Sequence, residues 1–318
     1  ARFWFQGNYG ERWTYFMRFD GQGRATDVLG EQDVTVNGLT EIDNSWLRYK
    51  ISDTAGLKFG VFASVFNREQ ASLPSDKLAQ DNSPTATVFD TAVFEGFQLD
   101  WSWSKRLNTY WVISNGQRST YRSFSDPANA DIALTQHTEL LLAGDWAQFT
   151  GFTSPCCSDF GMKIGGTVDW EENRLAAGQE TDIFYLGGEI SLAGNGWMFW
   201  STIHYWKTNW KSPVKVDDMG FVLMGSRYLN PHLEWYGRYD AVLPGSGRAT
   251  LNDDFRTATT GLTYYPKPGY NYLKLGFEIN YFLDPSTNTL VSPSNSIMLL
   301  DSPEGDQWAG SFQVSWVF

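Results

Sequence analysis

Three histidines, two adjacent cysteines and a scatter of charged side chains are the residues of this chain that could do chemistry. His204 follows Ser201 by three positions, and on an extended strand that spacing sends the two side chains to opposite faces, away from any nucleophile–base contact. His232 stands beside Pro231 in turn-like sequence, and His137 has no convergent third group. The Cα atoms of neighbours such as Cys156 and Cys157 lie about 3.8 Å apart, below the usual disulfide separation of roughly 4.4–6.8 Å. A free or reactive pair, a strained vicinal bond and an intersubunit link therefore stay open. No CxxC, zincin motif, Gly-rich phosphate loop or paired-carboxylate signature occurs. The residue set implies no cofactor, no metal and no enzyme.

What remains is electrostatics, charged side chains that attract or repel a solute without reacting with it. Arg18, Arg48, Lys50 and Lys58 come from three consecutive aromatic-rich segments. Arg68, Glu69, Asp76, Lys77, Asp81 and Asp90 follow in a polar stretch, and Asp100 and Arg238 belong to later alternating segments. The net charge of −12 excludes nucleic acid as a partner, because phosphate binding needs a basic face.

The elements that must position these charges are strands. The 318 residues include 15 Trp, 15 Tyr and 22 Phe, yet no run approaches the ~20 apolar residues of a spanning helix. Strict alternation recurs instead. In residues 307–318, Trp308, Gly310, Phe312, Val314, Trp316 and the terminal Phe318 share one face, opposite Gln307, Ala309, Ser311, Gln313 and Ser315. Residues 12–20, 97–103, 160–170, 233–241 and 272–282 repeat the contrast, with charges opposite apolar side chains, which rules out a sheet buried on both faces. Residues 197–207 and 219–227 are apolar on both faces, so their inner side cannot be assigned. About fifteen strands result, near the ~10-residue length of tilted transmembrane strands.

Their connections alternate between short turns and long loops, the latter at 21–44, 67–91, 118–136, 171–182, 208–218, 243–255 and 284–306. That alternation marks periplasmic turns and extracellular loops, and the even strand count of bacterial barrels then calls for a strand upstream of residue 1. The expectation is one outer-membrane domain over residues 1–318: an all-β, antiparallel up-and-down barrel of sixteen strands.

Side-chain parity points Arg2, Arg18, Arg48, Lys50, Lys58, Lys163, Arg238 and Lys274 inward, with Asp20, Asp100, Glu139, Asp145, Asp169, Glu189, Glu234, Asp240 and Glu278. The signs nearly balance, so the surplus acid lies in loops. Trp4, Phe16, Trp46, Phe62, Tyr236 and Tyr272 share the inward parity. Residues 67–91 are long enough to be functional and form the candidate constriction loop, whose Glu69, Asp76 and Asp81 would face the basic wall of Arg18, Arg48, Lys50 and Lys58.

Three stretches, ARFWFQGNYGERWTYFMRFDG, SWLRYKISDTAGLKFGVFASVFNREQ and DTAVFEGFQLDW, resemble the phosphate-selective porin O and P family over roughly the first hundred residues. The terminal Phe agrees. The resemblance implies a sixteen-strand trimeric porin whose third extracellular loop narrows the pore. The arginine ladder and lysine-rich constriction of phosphate-selective members are absent, so fold and porin activity carry over and phosphate selectivity does not. The resulting expectation is passive diffusion of ions and small hydrophilic solutes, with outer-membrane lipid, lipopolysaccharide and a homotrimer as partners. Rival readings are a plugged structural or adhesin barrel, an outer-membrane enzyme, and a soluble sugar-binding sandwich or propeller.

Overall fold

Alternating sequence becomes fifteen strands in a computed structural model of the chain. It describes residues 2–20, 41–63, 68–72, 76–89, 93–116, 130–155, 157–174, 180–210, 215–269, 272–291, 299 and 302–316. Phe318, Asp90 and Cys156 lie outside the described residues. The first strands are β1 (Arg2–Tyr9), β2 (Trp13–Asp20), β3 (Glu41–Lys50) and β4 (Ala55–Ala63). Two short helices, α1 (Arg68–Ala71) and α2 (Pro84–Phe89), precede β5 (Val93–Ser104), β6 (Leu107–Ser114) and β7 (Ala130–Ala143). Then come β8 (Gly161–Arg174), β9 (Glu180–Gly194), β10 (Trp197–Trp210) and β11 (Lys215–Asn230). The last are β12 (Leu233–Leu243), β13 (Phe255–Tyr264), β14 (Leu273–Phe282) and β15 (Gln307–Trp316).

All fifteen form one antiparallel sheet in chain order. Among the described residues β1 pairs with β2 alone and β15 with β14 alone. The sheet curls round on itself: the connection after β4 hydrogen-bonds with β12, β14 and β15, which a flat sheet would hold far out of reach. Short turns gather at one end. One of the two-residue turns, Asn195–Gly196, has positive φ at both residues (37° and 82°), the conformation that suits an Asn-Gly hairpin.

Each strand sorts its side chains as parity dictates. Trp13, Phe97, Trp101, Trp111, Trp170, Phe277, Phe312 and Trp316 stand exposed on the outside. Such a large apolar exterior is intelligible when its solvent is lipid. Lys163, Asp169, Glu234, Arg238 and Glu278 are buried on the inside.

Three boundaries depart from the alternation reading. Residues 171–174, 180–182, 208–210 and 215–218 are strand, because β8 pairs with β9 as far as Arg174 and Glu180 and β10 pairs with β11 as far as Asn209 and Lys215. Asp145 is not an inward strand residue: β7 ends at Ala143, and Asp145 is the exposed residue before a 3-10 turn, Trp146–Phe149. This turn opens a long connection, residues 144–160, at the end where the other turns are short.

Candidate channel lumen

The described residues of the connection between β4 and β5, 68–72 and 76–89, lie inside the sheet and are fastened to one half of its inner wall. Glu69 accepts hydrogen bonds from Arg238 of β12 (3.0 Å), from the Ser83 amide (2.8 Å) and from the Ser83 hydroxyl (2.7 Å). Ser83 in turn accepts the Ala86 amide at 3.0 Å and so caps the first turn of α2. Further along, the Gln80 amide donates to Glu278 (3.0 Å), Ser311 of β15 donates to the Gln80 side chain (2.8 Å), and Lys274 donates to the Lys77 carbonyl. Asp81 lies beside this wall and is still exposed to water; partial desolvation and the nearby Glu278 raise its pKa, with Arg238 and Lys77 opposing.

Behind these polar fastenings lies apolar packing. Val88 and Phe89 of α2 join Tyr185, Trp206, Val242, Phe255 and Phe282 from the wall, with Val291 and Leu299 from the last long connection. Phe89 stacks on the His204 ring (5.5 Å, 12°). The approach depends on Gly220, since a Cβ there would sit 2.4 Å from the Phe89 ring and 2.7 Å from Thr85.

From the opposite end, residues 144–160 reach in and meet the loop. The Phe152 amide donates to the Asp76 carbonyl (2.9 Å), and the Phe152 ring packs edge-on against Trp200 (5.1 Å, 82°) among Leu78, Ala79, Met198 and Met224. Arg68 of α1 joins the two segments. It donates to the Phe149 and Gly151 carbonyls and to Ser191 of β9 (2.7 Å), with its guanidinium 4.5 Å from the Phe152 ring centroid. Burial lowers the Arg68 pKa, while Glu189 and Glu139 oppose the shift.

The other half of the wall, β2 to β5, is differently furnished. Arg48 pairs with Asp100 at 2.8 Å, their side chains retaining 36% and 19% exposure, against 0% and 5% for the Arg238–Glu69 pair. Lys58 lies over the Phe62 ring (4.1 Å) and near Trp46 (5.8 Å), and Phe16 stacks beside Trp46 (5.6 Å, 13°). Arg18 shares this inward face, half-buried.

The sequence-derived candidates thus divide in two. Arg18, Arg48, Lys58 and Asp100 occupy the β2–β5 arc, whereas Arg68, Glu69, Asp76, Lys77, Asp81 and Arg238 belong to the loop or the wall it covers. Lys50 stands at the turn end of β3, paired with Asp53 at 2.5 Å, and is separate from both groups. The loop carboxylate Glu69 faces Arg238, and the basic arc finds its carboxylate in the wall residue Asp100, so the expected opposition of loop acids to the basic arc is not the arrangement present.

Parity alone did not reveal the linking role of Arg68 or the inward course of residues 144–160. The apolar inner faces of β10 and β11 were the available signal. Among possible reactive groups, His137 meets Thr167 (2.7 Å), His204 meets Tyr185 (2.6 Å) and His232 meets the Tyr265 carbonyl (2.9 Å).

An antiparallel sheet curled round a polar interior, with an apolar exterior and one loop folded inside, defines an outer-membrane β-barrel. Solved structures agree on that fold. An anion-selective porin from Comamonas acidovorans aligns with a TM-score of 0.65 at 9% identity, over 98% of this chain and 86% of its own. The outer-membrane channel DcaP of Acinetobacter baumannii gives 0.59 at 14% identity, over 89% and 78%. The trimer form of OmpT, an outer-membrane protein of Vibrio cholerae, gives 0.59 at 10% identity, over 98% and 91%. No family model matches the chain, and no curated relative does. At these identities the likeness is one of fold, a barrel of the outer-membrane type.

Proposed function

We propose that the chain is a porin, a water-filled passive channel for ions and small hydrophilic solutes that performs no bond chemistry and works as a homotrimer. The observation that carries this reading is the contrast between the two halves of the inner wall. The loop and residues 144–160 cover Arg238, Glu234, Lys274 and Glu278 on the opposite wall, while Arg48 and Asp100 keep access to water and Arg18 and Lys58 beside them are only partly buried. A constriction pinned to one side leaves a path along the other, and wall charge there acts on a passing ion at short range. The porin O and P resemblance of the first hundred residues supports the reading, and the charge-paired wall gives no support for phosphate selectivity. One more antiparallel strand between β1 and β15 completes the barrel in this reading.

Single-channel recording in a planar bilayer under a salt gradient tests it. A stable open channel is expected, and Arg48→Glu or Lys58→Glu shifts the reversal potential toward cation preference. The plugged-barrel reading draws on one specific observation, the interlocking of two segments through Arg68. A folded protein that never conducts would favour that reading.

A further inference from the structure

The β2–β5 arc sets aromatic rings and cations side by side on one inner wall. Phe16 and Trp46 lie opposite each other across β2 and β3, their rings nearly parallel (13°) and half-buried. Around them, in register, stand Arg18 two residues along from Phe16, Arg48 two residues along from Trp46, and Lys58 directly across from Arg48. Lys58 holds its ammonium 5.8 Å from the Trp46 ring centroid. Cross-strand and diagonal neighbours on one face lie within roughly 5–8 Å of each other, so a ligand the size of one six-membered ring can touch aromatic face and cation together.

Charge decides the ligand class. Apart from Lys50, which pairs with Asp53 at the turn end, the described inward side chains of β2 to β5 include three cations and one carboxylate, Asp100, which Arg48 engages at 2.8 Å. Arg and Lys only donate hydrogen bonds, whereas a sugar presents hydroxyls that need acceptors as well as donors. A small inorganic anion would use the cations and leave the rings idle. A flat ring carrying a carboxylate uses both, its face on the aromatic pair and its charge on the neighbouring ammonium or guanidinium.

We propose that this arc is a binding track for aromatic carboxylates, with the ring against Phe16 and Trp46 and the carboxylate held by Lys58 with Arg48. The proposal rests on the porin reading for its purpose but not for its geometry.

The test pairs benzoate with cyclohexanecarboxylate, which has the same charge and similar size but no flat π-face. In isothermal titration of the detergent-solubilised full chain, benzoate binds about three- to tenfold more tightly than cyclohexanecarboxylate. Trp46→Ala abolishes that ratio, and Lys58→Gln weakens both carboxylates while preserving it. Phe16→Leu serves as a second ring variant should Trp46→Ala fail to fold. In bilayers the same preference appears as a higher relative permeability for benzoate. Equal affinities for the two acids, a ratio untouched by either ring variant, or tighter binding of inorganic phosphate or maltose than of benzoate each overturn the proposal. Absence of conductance with the benzoate preference intact would instead remove the porin reading and leave the site.

Discussion

Glu69 shows how one side chain fixes the position of a whole loop. Its carboxylate accepts from the buried Arg238 and from both donors of Ser83, so it ties the wall to the cap of α2 at a single point. Removing one partner of a buried ion pair costs about 3–5 kcal/mol because the other charge is left desolvated. Arg238 retains Asp240, at 3.7 Å, and the Asp81 carbonyl, which puts Glu69→Ala at the lower end, about 3 kcal/mol. Its measurable consequences are a lower temperature for the folded-to-unfolded gel shift and a larger, noisier single-channel current. Asp81 supplies the pH dependence. With its folded pKa raised by partial desolvation, Asp81 binds its proton at higher pH in the folded than in the unfolded chain, so its contribution to stability falls as pH rises through that window. Its charge is also lost early on acidification, so the reversal potential moves toward anion preference at a pH above the ordinary carboxylate value of about 4. Asp81→Asn should remove that early step; a titration identical to the parent would exclude Asp81 as its source. Both residues were visible in the sequence as loop charges. The pairing of Glu69 with Arg238 was not, because it spans 169 positions and carries no local signal.

At the scale of elements, α2 is too short to be stable alone and owes its place to a bare patch of wall. Gly220 opens that patch, and a valine there would collide with Phe89 and Thr85. Gly220→Val should therefore lift α2 off β11 and raise conductance without touching any charge, whereas an unchanged current would place α2 outside the path. Phe152 plays the matching part for residues 144–160. Truncating it to Ala vacates the packing against Trp200 and Met224, a loss of about 3–4 kcal/mol by analogy with other buried aromatics. These two elements also explain where alternation stopped being readable. On β12, β14 and β15 one face meets lipid and the other meets polar groups, so the sequence alternates and the faces were legible. On β10 and β11 the inner face meets α2, Leu78, Ala79 and Phe152, so Met198, Trp200, Trp206, Val222 and Met224 point inward and the pattern turns apolar on both sides. The unassignable strands were thus the imprint of the inward segments, which themselves lack periodicity.

Across the whole molecule, the fifteen antiparallel strands leave β1 and β15 running in the same direction, each bonded on one side among the described residues. Direct pairing of those two would create a parallel seam in an otherwise antiparallel barrel. An unpaired edge is no better, because backbone amides and carbonyls exposed to hydrocarbon cost several kcal/mol each. The outward faces of β15 end in Trp308, Phe312 and Trp316, which marks it as a lipid-facing strand along its full length. In the proposed barrel a single further antiparallel strand would satisfy both edges and give the even count of bacterial outer-membrane barrels. The alternation and strand count that led to this closure were legible from residues 2–316 alone, since parity needs no tertiary information. Hydrogen exchange on protein isolated from outer membranes tests it. The amides of β1 and β15 that face away from β2 and β14 should be as protected as those within the sheet. Rapid exchange there, in protein that still conducts, would mean that the seam stays open to water, and the sixteen-strand barrel would fall.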